Sequence, residues 1–272
     1  MTNLRPKDIH RLRSAYGNLA LITGATSGIG REMALTLAKA GFDLVITGRQ
    51  QSVLDQLGAQ LSADHHVKVL PIAGDLSTRL DVEALIDSTR HLPIGVAILN
   101  AGFGTSGDFV SAEIESEINM LDLNCKAVLM LAHHFAHQMK ATPNRGAIVL
   151  MSSMVAFQGV PHAAHYAATK AYVQSLGEAL AVELTPHGID VLAAAPGPVE
   201  SGFSARANMK MGMALRTDQV AVPILQAIGR KSSVLPGFLT KFLVFSLRTA
   251  PRWAKVRIMG TIMAGFTKHQ LG

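Results

Sequence analysis

Six short apolar runs recur along the chain, and each is followed by a longer amphipathic stretch. The runs span residues 19–23, 43–47, 67–72, 96–100, 147–152 and 190–196. They are almost continuously apolar rather than alternating, which is typical of parallel strands covered on both faces. The stretches between them have a helical period, as in residues 31–41, where Gly41 is placed to end a helix. The pattern predicts an α/β fold in which a doubly wound parallel sheet lies between two layers of helices, a three-layer αβα arrangement.

The composition fits one large domain of this type. Of the 272 residues, 49% are hydrophobic, which favours a single extended core over two independent ones. The single cysteine, Cys125, excludes an intrachain disulfide and favours a reducing, cytoplasmic location. The first 17 residues lack the apolar region of a secretory signal, and no run of about 18 uncharged apolar residues occurs. We therefore expect neither secretion nor a membrane span.

The net charge of +6 is concentrated at the two ends of the chain. Residues 219–272 contain eight Lys or Arg residues and no acidic residue, and residues 1–17 contain four against Asp8 alone. The middle, residues 18–218, has 13 basic and 18 acidic residues and so a net charge of −5. Because nucleic-acid-binding proteins carry such charge on the folded body, nucleic acid is not expected as a partner. The chain divides into a basic N-terminal extension (1–17), a main domain (18–230) and an apolar–basic helical C-terminal extension (231–272).

The first predicted strand runs into a glycine-rich turn, TGATSGIG at residues 23–30, and a predicted helix follows. Gly24, Gly28 and Gly30 would let the backbone turn tightly and approach a pyrophosphate, to which the helix N-terminus would offer N–H groups. The spacing is GxxxGxG, since Met33 occupies the last position of the alternative GxGxxG spacing. A structural loop could also be rich in glycine, but the position between the first strand and the first helix favours a dinucleotide site.

The end of the second predicted strand indicates which dinucleotide is bound. An acidic residue there would bind the ribose of NAD, but no Asp or Glu lies between Asp43 and Asp55. Arg49 stands at this place, and a guanidinium can bind a 2′-phosphate through several charge-assisted hydrogen bonds. The alternative is that Arg49 only solvates the loop. The sequence favours NADP(H) over NAD(H).

The glycine-rich turn is followed by an Asn-Ala-Gly triplet at residues 100–102 and then by Tyr166-x-x-x-Lys170. With these three motifs in this order, the chain resembles the short-chain dehydrogenase/reductase (SDR) family over roughly residues 18–205. The family usually has a second Asn where Leu99 stands. The resemblance implies a Rossmann-type fold, oxidoreductase activity and assembly as a homodimer or homotetramer.

Carried over by position, the resemblance implies cofactor-binding roles in each of the loops. Asp75 and Leu76 would flank the adenine, and the segment 196–201 would hold the nicotinamide ribose and carboxamide. The family often has threonine where Ser201 stands. The implied cofactor contacts are Gly24, Thr26, Ser27, Gly28, Ile29, Gly30, Arg49, Asp75, Leu76, Asn100, Ala101, Gly102, Tyr166, Lys170, Pro196, Gly197, Val199 and Ser201.

The resemblance also implies a catalytic tetrad of Asn124, Ser153, Tyr166 and Lys170. Ser153 is preferred over Ser152 because it precedes Tyr166 by 13 residues, as in the family. A free tyrosine has a pKa of about 10, and an ammonium one helical turn away favours the phenolate and lowers that pKa. We therefore expect Tyr166 to exchange a proton with a carbonyl oxygen that Ser153 holds. Lys170 would also bind the nicotinamide ribose, and Asn124 would help to order a water that resupplies the proton.

Four histidines are candidates for other roles. His133 and His137 have the i, i+4 spacing of a metal-binding pair, but no third ligand is nearby, so no metal site is expected. His162 and His165 precede Tyr166 and fit either the mouth of a pocket or an ordinary loop.

Residues 201–217 correspond to the segment that covers the substrate in this family. Met209, Met211 and Met213 are spaced by two, and flexible methionines fill irregular apolar volume. A lipophilic ketone, a 3-oxoacyl chain or a sterol-like substrate would fit such a cover. An ordinary mobile loop is the alternative.

The tail at residues 236–268 predicts two short apolar–basic helices broken near Pro251. Trp253 stands among Arg252, Lys255 and Arg257. Such helices can lie peripherally on an anionic membrane surface, or they can pack on the protein or on a partner subunit. Both alternatives stay open.

The motifs together predict an NADP(H)-dependent oxidoreductase that transfers hydride between nicotinamide and a lipophilic ketone or 3-oxoacyl-type carbonyl, or the corresponding secondary alcohol. The alternative function is a catalytically silent nucleotide-binding or membrane-surface scaffold of the same fold. An intact tetrad disfavours this alternative, because a scaffold has no need of all four groups.

Overall fold

The computed structural model describes residues 3–209, 214–247 and 249–270. Within them, the strands are β1 (Leu19–Thr23), β2 (Asp43–Gly48), β3 (Val69–Ala73), β4 (Val96–Leu99), β5 (Gly146–Met151), β6 (Ile189–Ala194) and β7 (Ser233–Val234). The α-helices are α1 (Pro6–Tyr16), α2 (Gly28–Lys39), α3 (Gln51–His65), α4 (Arg79–Thr89), α5 (Ile114–Leu121), α6 (Val128–Lys140), α7 (Ala164–Glu183), α8 (Gly202–Arg206), α9 (Asp218–Ala227), α10 (Phe238–Ser246) and α11 (Arg252–Thr267). A π-helical turn, Asp122–Ala127, joins α5 to α6.

The strands form one parallel sheet in the order β3-β2-β1-β4-β5-β6-β7. Ala20 of β1 pairs with Leu44 on one side and with Val96 on the other. The direction of winding reverses between β1 and β4, and this opens a crevice at the carboxyl ends of the strands. The predicted doubly wound fold is confirmed, with all six predicted strands. The seventh strand was not predicted, because two residues are too few to show a period.

Helices cover both faces of the sheet, as the three-layer prediction required. On one face α1, α2, α3 and α9 bury an apolar core that includes Leu12, Met33 and Leu225. On the other face α4, α6 and α7 bury a second core around Phe135 and Val173. Because the inner strands are covered on both sides, their side chains are almost all apolar, which explains the continuous runs in the sequence. The edge strand β3 is only partly covered, and Leu70 is exposed.

Helix α1 packs into the first of these cores. Leu12 and Tyr16 are buried, and the Tyr16 hydroxyl donates to Asp190 Oδ2 at 2.7 Å. Asp8 is also buried and accepts hydrogen bonds of 2.8 Å from Arg5 Nε and Arg230 Nη1. Burial raises the pKa of Asp8, but the two guanidinium groups together lower it by more. The pKa of Asp8 therefore lies below its usual value. The basic N-terminal segment is therefore held to the sheet by buried contacts as well as by charge.

The C-terminal segment begins with β7 and continues as two helices separated at Pro251, as predicted. Helix α11 lies over the substrate side of the crevice, where Met259 and Met263 are buried in a third apolar cluster together with Tyr166. Past α11, Gln270 Nε2 donates to Ser106 Oγ at 3.0 Å. In the described residues, none of the helices combines the length and the hydropathy that crossing a membrane requires.

Candidate active site

The loops that follow β1, β4, β5 and β6 meet at the carboxyl edge of the sheet. The loop after β1 turns at Gly24 and Gly28, which have φ angles of 67° and 58°. These values lie in the left-handed region that favours glycine. A Cβ on Gly30 would overlap both the Gly24 carbonyl oxygen and Asn100 Nδ2. The glycines therefore keep this loop close to its neighbour and leave the N-terminus of α2 uncovered.

The Asn-Ala-Gly triplet after β4 is joined to the glycine-rich loop by side-chain hydrogen bonds. Asn100 Nδ2 donates to the carbonyl oxygens of Thr23 and Gly24, at 3.0 and 3.2 Å. The Ala101 amide donates to Thr23 Oγ1 at 2.9 Å. These bonds fix the two loops that line the middle of the crevice.

Asn124 lies fully buried in the π-helical turn between α5 and α6. Its Oδ1 accepts from the Phe103 amide at 3.1 Å, and its Nδ2 donates to the Phe103 carbonyl oxygen at 2.8 Å and to Thr169 Oγ1 at 3.0 Å. π-helical turns are rare and occur frequently at functional sites. Asn124 thus joins the loop after β4 to helix α7, which carries Tyr166 and Lys170.

Ser153, Tyr166 and Lys170 are all buried at the end of β5 and the start of α7. The Lys170 ammonium donates to the Met151 carbonyl oxygen at 2.8 Å and lies 5.9 Å from the centroid of the Tyr166 ring. Ser152 donates to the Lys170 carbonyl oxygen at 3.0 Å, whereas the Ser153 hydroxyl interacts with the Tyr166 phenol. The structure therefore places Ser153, and not Ser152, beside Tyr166.

The acidities of this group differ from the expectation. Burial raises the pKa of Tyr166 to about 12, and the Ser153 hydroxyl opposes this only in part. Burial also lowers the pKa of Lys170 to about 8, with a smaller opposing effect from Cys125. Lys170 was predicted to lower the pKa of Tyr166, but that pKa is raised instead. Burial disfavours charge on both groups, and Lys170 is directed to the Met151 carbonyl.

The sequence profile described as short chain dehydrogenase matches residues 18–212. The chain belongs to the short-chain dehydrogenase family. The match covers the glycine-rich loop, all four tetrad positions and the beginning of the substrate-side segment.

Named SDR relatives align over most of the chain. A 7beta-hydroxysteroid dehydrogenase from Clostridium sardiniense is 27% identical over 84% of this chain and 89% of that protein. A very-long-chain 3-oxoacyl-CoA reductase from Lodderomyces elongisporus is 30% identical over 91% of this chain and 71% of that protein. A solved short-chain dehydrogenase from Sphingobium yanoikuyae in complex with NADPH is 32% identical, with a TM-score of 0.76 over 87% of this chain and 91% of that chain.

The predicted adenosine side of the SDR crevice lies at the ends of β2 and β3. Arg49 is exposed there, and Leu76 is buried. Asp75 Oδ1 accepts from the amide and the hydroxyl of Ser77, at 3.1 and 2.8 Å. Among the ion pairs of the described residues, Arg49 has no carboxylate partner. Its guanidinium is therefore available to an anionic ligand.

A second arginine near this side was not predicted. Arg206, at the end of α8, has its guanidinium carbon 4.1 Å from the centroid of the Phe103 ring. Burial and then the charge of Arg49 lower the pKa of Arg206, while Asp75 raises it. Arg206 is therefore within electrostatic reach of both predicted adenosine-side residues. Arg206 could not be identified beforehand, because the substrate-side segment carries no family motif.

The segment 196–201 borders the crevice on the other side. The Pro196 carbonyl oxygen accepts from the Met154 amide at 2.9 Å, and Val199 forms an isolated parallel bridge with Leu215. Ser201 precedes α8 and lies 3.2 Å from the position of a Cβ on Gly28. The loop after β6 therefore approaches the glycine-rich loop, which brings the predicted nicotinamide side next to the predicted pyrophosphate loop. Of the other predicted contacts, Thr26 and Ile29 are half-buried and Ser27 is exposed.

The substrate side of the SDR site is almost entirely apolar. Tyr166 belongs to a cluster with Phe103, Met209, Met259 and Met263. Phe203 of α8 lies beside it, with its ring centroid 5.4 Å from that of Tyr166. Met211 and Met213 lie outside the described residues. Met259, Met263 and Phe203 were missed as site residues, because nothing in the sequence indicated that α8 and α11 reach Tyr166.

His165 is paired with a buried carboxylate next to the tetrad. Its Nδ1 lies 2.8 Å from Oε2 of Glu117 on α5. This contact holds the start of α7, where Tyr166 is located, against α5. No group of His, Cys, Asp and Glu residues able to hold a metal occurs in the described part of the chain, so the His133 and His137 pair stays without further ligands there.

Proposed function

We propose that the protein reduces a lipophilic ketone or 3-oxoacyl-type carbonyl with NADPH, or oxidises the corresponding secondary alcohol with NADP⁺, and that Tyr166 is the acid–base group. The observation that carries this proposal is the buried group of Ser153, Tyr166 and Lys170 beside the Asn-Ala-Gly loop, where a Cβ on Gly102 would lie 3.3 Å from the Lys170 ammonium. Tyr166 is buried among apolar side chains and interacts with Ser153, so a carbonyl oxygen that Ser153 holds would lie within reach of its proton. Turnover of NADPH with a panel of ketones tests the proposal directly.

The chemistry requires one hydride and one proton. When bound, the nicotinamide supplies the hydride to the carbonyl carbon, or accepts it in the reverse direction. As negative charge develops on the carbonyl oxygen, the Ser153 hydroxyl donates a hydrogen bond to it and the Tyr166 phenol transfers its proton to it. The C=O bond becomes a CH–OH group, and Tyr166 is left as a phenolate.

The high pKa of Tyr166 makes the surrounding charges important. Lys170 is positively charged below its pKa of about 8, and it stabilises the phenolate when its ammonium is drawn from the Met151 carbonyl towards the Tyr166 side. Asn124 holds the Phe103 loop to Thr169 in the same region, which keeps α7 in register with the loop after β4. We assign Asn124 the additional role of ordering the water from which Tyr166 is reprotonated.

We propose NADP(H) as the preferred cofactor because Arg49 lies on the adenosine side and a second arginine, Arg206, lies within electrostatic reach of it. Arg49 has no carboxylate partner among the described ion pairs, and Arg206 is held over Phe103 with Arg49 nearby. Two neighbouring cations repel each other, and a 2′-phosphate with up to two negative charges would relieve this repulsion. The NADPH complex of the Sphingobium yanoikuyae relative is in keeping with this choice.

Arg49→Ala is expected to raise the Kd for NADPH about 10- to 100-fold, because charge-assisted hydrogen bonds are worth roughly 1.5–3 kcal/mol. The Kd for NADH should change less than about twofold, since NADH lacks the 2′-phosphate. Arg206→Ala should act in the same direction. Fluorescence titration of both nucleotides measures these constants.

The matched control is Arg79→Ala, which removes an exposed arginine paired with Glu83 on the distant helix α4. This variant should bind both nucleotides as the wild type does. Equal weakening of NADPH and NADH in Arg49→Ala would contradict the proposed contact with the 2′-phosphate.

We propose a lipophilic substrate because the groups around Tyr166 are methionine and phenylalanine side chains. Methionine adapts to irregular apolar shapes, and α11 contributes two methionines to this cluster. The names of the relatives, a hydroxysteroid dehydrogenase and a very-long-chain 3-oxoacyl-CoA reductase, fit the same class of substrate.

Met263→Ala is expected to raise KM for a lipophilic ketone about tenfold and to change kcat less, because the lost apolar contact with a substrate is worth up to about 1.5–3 kcal/mol. Steady-state kinetics with a long-chain ketone and a cyclic ketone measure the effect. Met139→Ala is the control, because Met139 is equally buried in the core on the other face of the sheet. Met139→Ala should lower stability and leave KM unchanged. If Met139→Ala raised KM more than Met263→Ala does, Met263 would not line the substrate pocket.

We also propose a homodimer or homotetramer in the cytoplasm. Four large apolar side chains are exposed along α5 and α6, namely Ile114, Ile118, Leu121 and Leu129. A second copy packed on this face would bury them. The single cysteine, Cys125, is buried and fits a reducing compartment. Light scattering of the purified protein measures the mass of the assembly.

A further inference from the structure

Helix α10 presents two different faces. Phe238, Phe242 and Phe245 are exposed, Phe238 by 84% and Phe245 by 73% of their surface, and their i, i+4, i+7 spacing places them on one stripe. The rings of Phe238 and Phe242 are stacked, with centroids 6.4 Å apart. On the opposite side, Thr240 is buried and approaches Gly197. The apolar stripe thus points away from the protein.

The charged residues of the C-terminal segment itself are all basic. Lys241 lies on the exposed face of α10, and Arg252 is exposed at the start of α11. Trp253 follows, exposed by 64%, with the guanidinium carbon of Arg257 5.4 Å from its ring centroid. The sequence has no acidic residue after Asp218. Residues 238–257 therefore expose four aromatic side chains together with basic side chains such as Lys241 and Arg252.

The two tail helices are not equivalent. Helix α11 buries Met259 and Met263 against the cluster that contains Tyr166, and Gly260 lies against Pro161. Its role as a cover of the substrate side accounts for its apolar residues. The outward aromatic residues of α10 have no such explanation within the chain. The whole tail is therefore not one amphipathic unit, and its exposed aromatic side chains are those of α10 and Trp253, while Ile258 of α11 is exposed to a smaller extent.

Charge decides which occupant fits this surface. A second copy related by twofold symmetry would place these basic side chains against their own copies, and the like charges would repel. An anionic lipid surface attracts each basic residue and accepts aromatic rings at the level of its headgroups. An amphipathic helix lying in this plane inserts roughly 5–10 Å and does not span the bilayer.

We propose that the outer face of α10, together with Trp253, docks peripherally on an anionic lipid surface. The contact consists of the three phenylalanine rings and Trp253 at the headgroup level, with Lys241 and Arg252 facing the lipid phosphates. Since α10 touches Gly197 with its inner face and Leu247 packs beside the Tyr166 cluster, the docked protein would hold its substrate side near the lipid. This last consequence rests on the proposed function, whereas the docking itself does not.

The test is co-sedimentation of the full chain with vesicles of phosphatidylglycerol and phosphatidylcholine, and with vesicles of phosphatidylcholine alone. We expect binding to the anionic vesicles, with a weakening of at least tenfold at high salt, because screening acts on exposed charges. Trp253 is the single tryptophan of the chain, so its fluorescence reports this surface alone. Its emission should shift to shorter wavelength on binding. An unshifted emission would remove Trp253 from the docking surface.

Phe242→Ser/Phe245→Ser should reduce binding about tenfold or more, because two exposed rings would no longer enter the lipid. The matched control is Leu80→Ser/Val110→Ser, which removes two apolar side chains outside the tail that are at least as exposed. This control should bind as the wild type does. Tyr166→Phe should also bind vesicles fully, which separates docking from catalysis.

Two results would overturn the proposal. One is that the protein does not bind anionic vesicles, or that Phe242→Ser/Phe245→Ser binds them as strongly as the control Leu80→Ser/Val110→Ser does. The other is a fall in the mass of the assembly of Phe242→Ser/Phe245→Ser, measured by light scattering, with vesicle binding unchanged. That second result would assign the surface to a partner copy.

Discussion

Tyr166→Phe is expected to lower kcat for ketone reduction about 10³-fold and to leave the Kd for NADPH within about twofold of the wild type. General acid catalysis contributes about 10²–10⁴-fold, and phenylalanine keeps the ring but has no proton to transfer. The ring contacts with Phe203 and the surrounding methionines would be retained, so the fold should persist. Stopped-flow measurement of NADPH oxidation, together with a fluorescence titration, gives both quantities.

The chain contains its own control for this substitution. Tyr172 lies on the same helix six positions further on and is exposed, so Tyr172→Phe should leave kcat unchanged. A Tyr166→Phe variant that keeps more than about a tenth of the activity would assign the proton transfer to another group. A loss of NADPH binding in the same variant would show a damaged site rather than a missing acid.

The pKa of Tyr166, about 12, predicts that the rate of alcohol oxidation depends on pH. Oxidation needs the phenolate, so its rate should rise with pH until the working pKa in the enzyme–cofactor complex is passed. The working pKa must lie well below 12 for oxidation near neutral pH. The difference between the pKa of about 12 and the working pKa measures how strongly Lys170 and the bound cofactor stabilise the phenolate.

Much of this architecture could be predicted because the sheet is buried on both faces. Apolar runs such as 96–100 then carry a clear signal, whereas the two residues of β7 carry none. The glycine-rich loop could be predicted as well, since the left-handed backbone at Gly24 and Gly28 requires glycine. The tetrad positions followed from the family resemblance, and the structure brings all four to one end of the crevice.

What could not be predicted depends on contacts between distant segments. Helix α1 has a basic sequence, yet a buried Asp8 ties it to Arg230, more than 200 residues away. The approach of Met263 to Tyr166 depends on how α11 folds back, and no local pattern encodes this direction. The pKa of Tyr166 was predicted in the wrong direction because charge spacing along a helix does not reveal burial.

Lys170→Met is expected to abolish turnover, with a loss of about 10³-fold in kcat, and at the same time to stabilise the protein without cofactor at pH 7. Lys170 is buried, and its pKa of about 8 lies below its ordinary value of about 10.5, so the folded state holds the charge at a cost of about 3 kcal/mol. Methionine has a similar length and carries no charge. The Met151 carbonyl loses its donor, which costs roughly 1–3 kcal/mol. The free energy of unfolding of Lys170→Met should therefore exceed that of the wild type by about 1 kcal/mol, which corresponds to a Tm higher by about 2–4 °C.

The pH dependence of the added stability of Lys170→Met shows whether it comes from removing a buried charge or from a change in packing. Between pH 8 and pH 10.5 the unfolded lysine binds a proton that the folded lysine has lost, so the stability of the wild type rises with pH in this window. The advantage of Lys170→Met should therefore be largest below pH 8 and shrink towards pH 10. Lys126→Met, which removes an exposed lysine paired with Asp122, should show no such trend. A Lys170→Met protein that is destabilised by more than about 2 kcal/mol at pH 7 would mean that the hydrogen bond to Met151 outweighs the cost of burial, and that Lys170 stabilises the fold as well as the reaction.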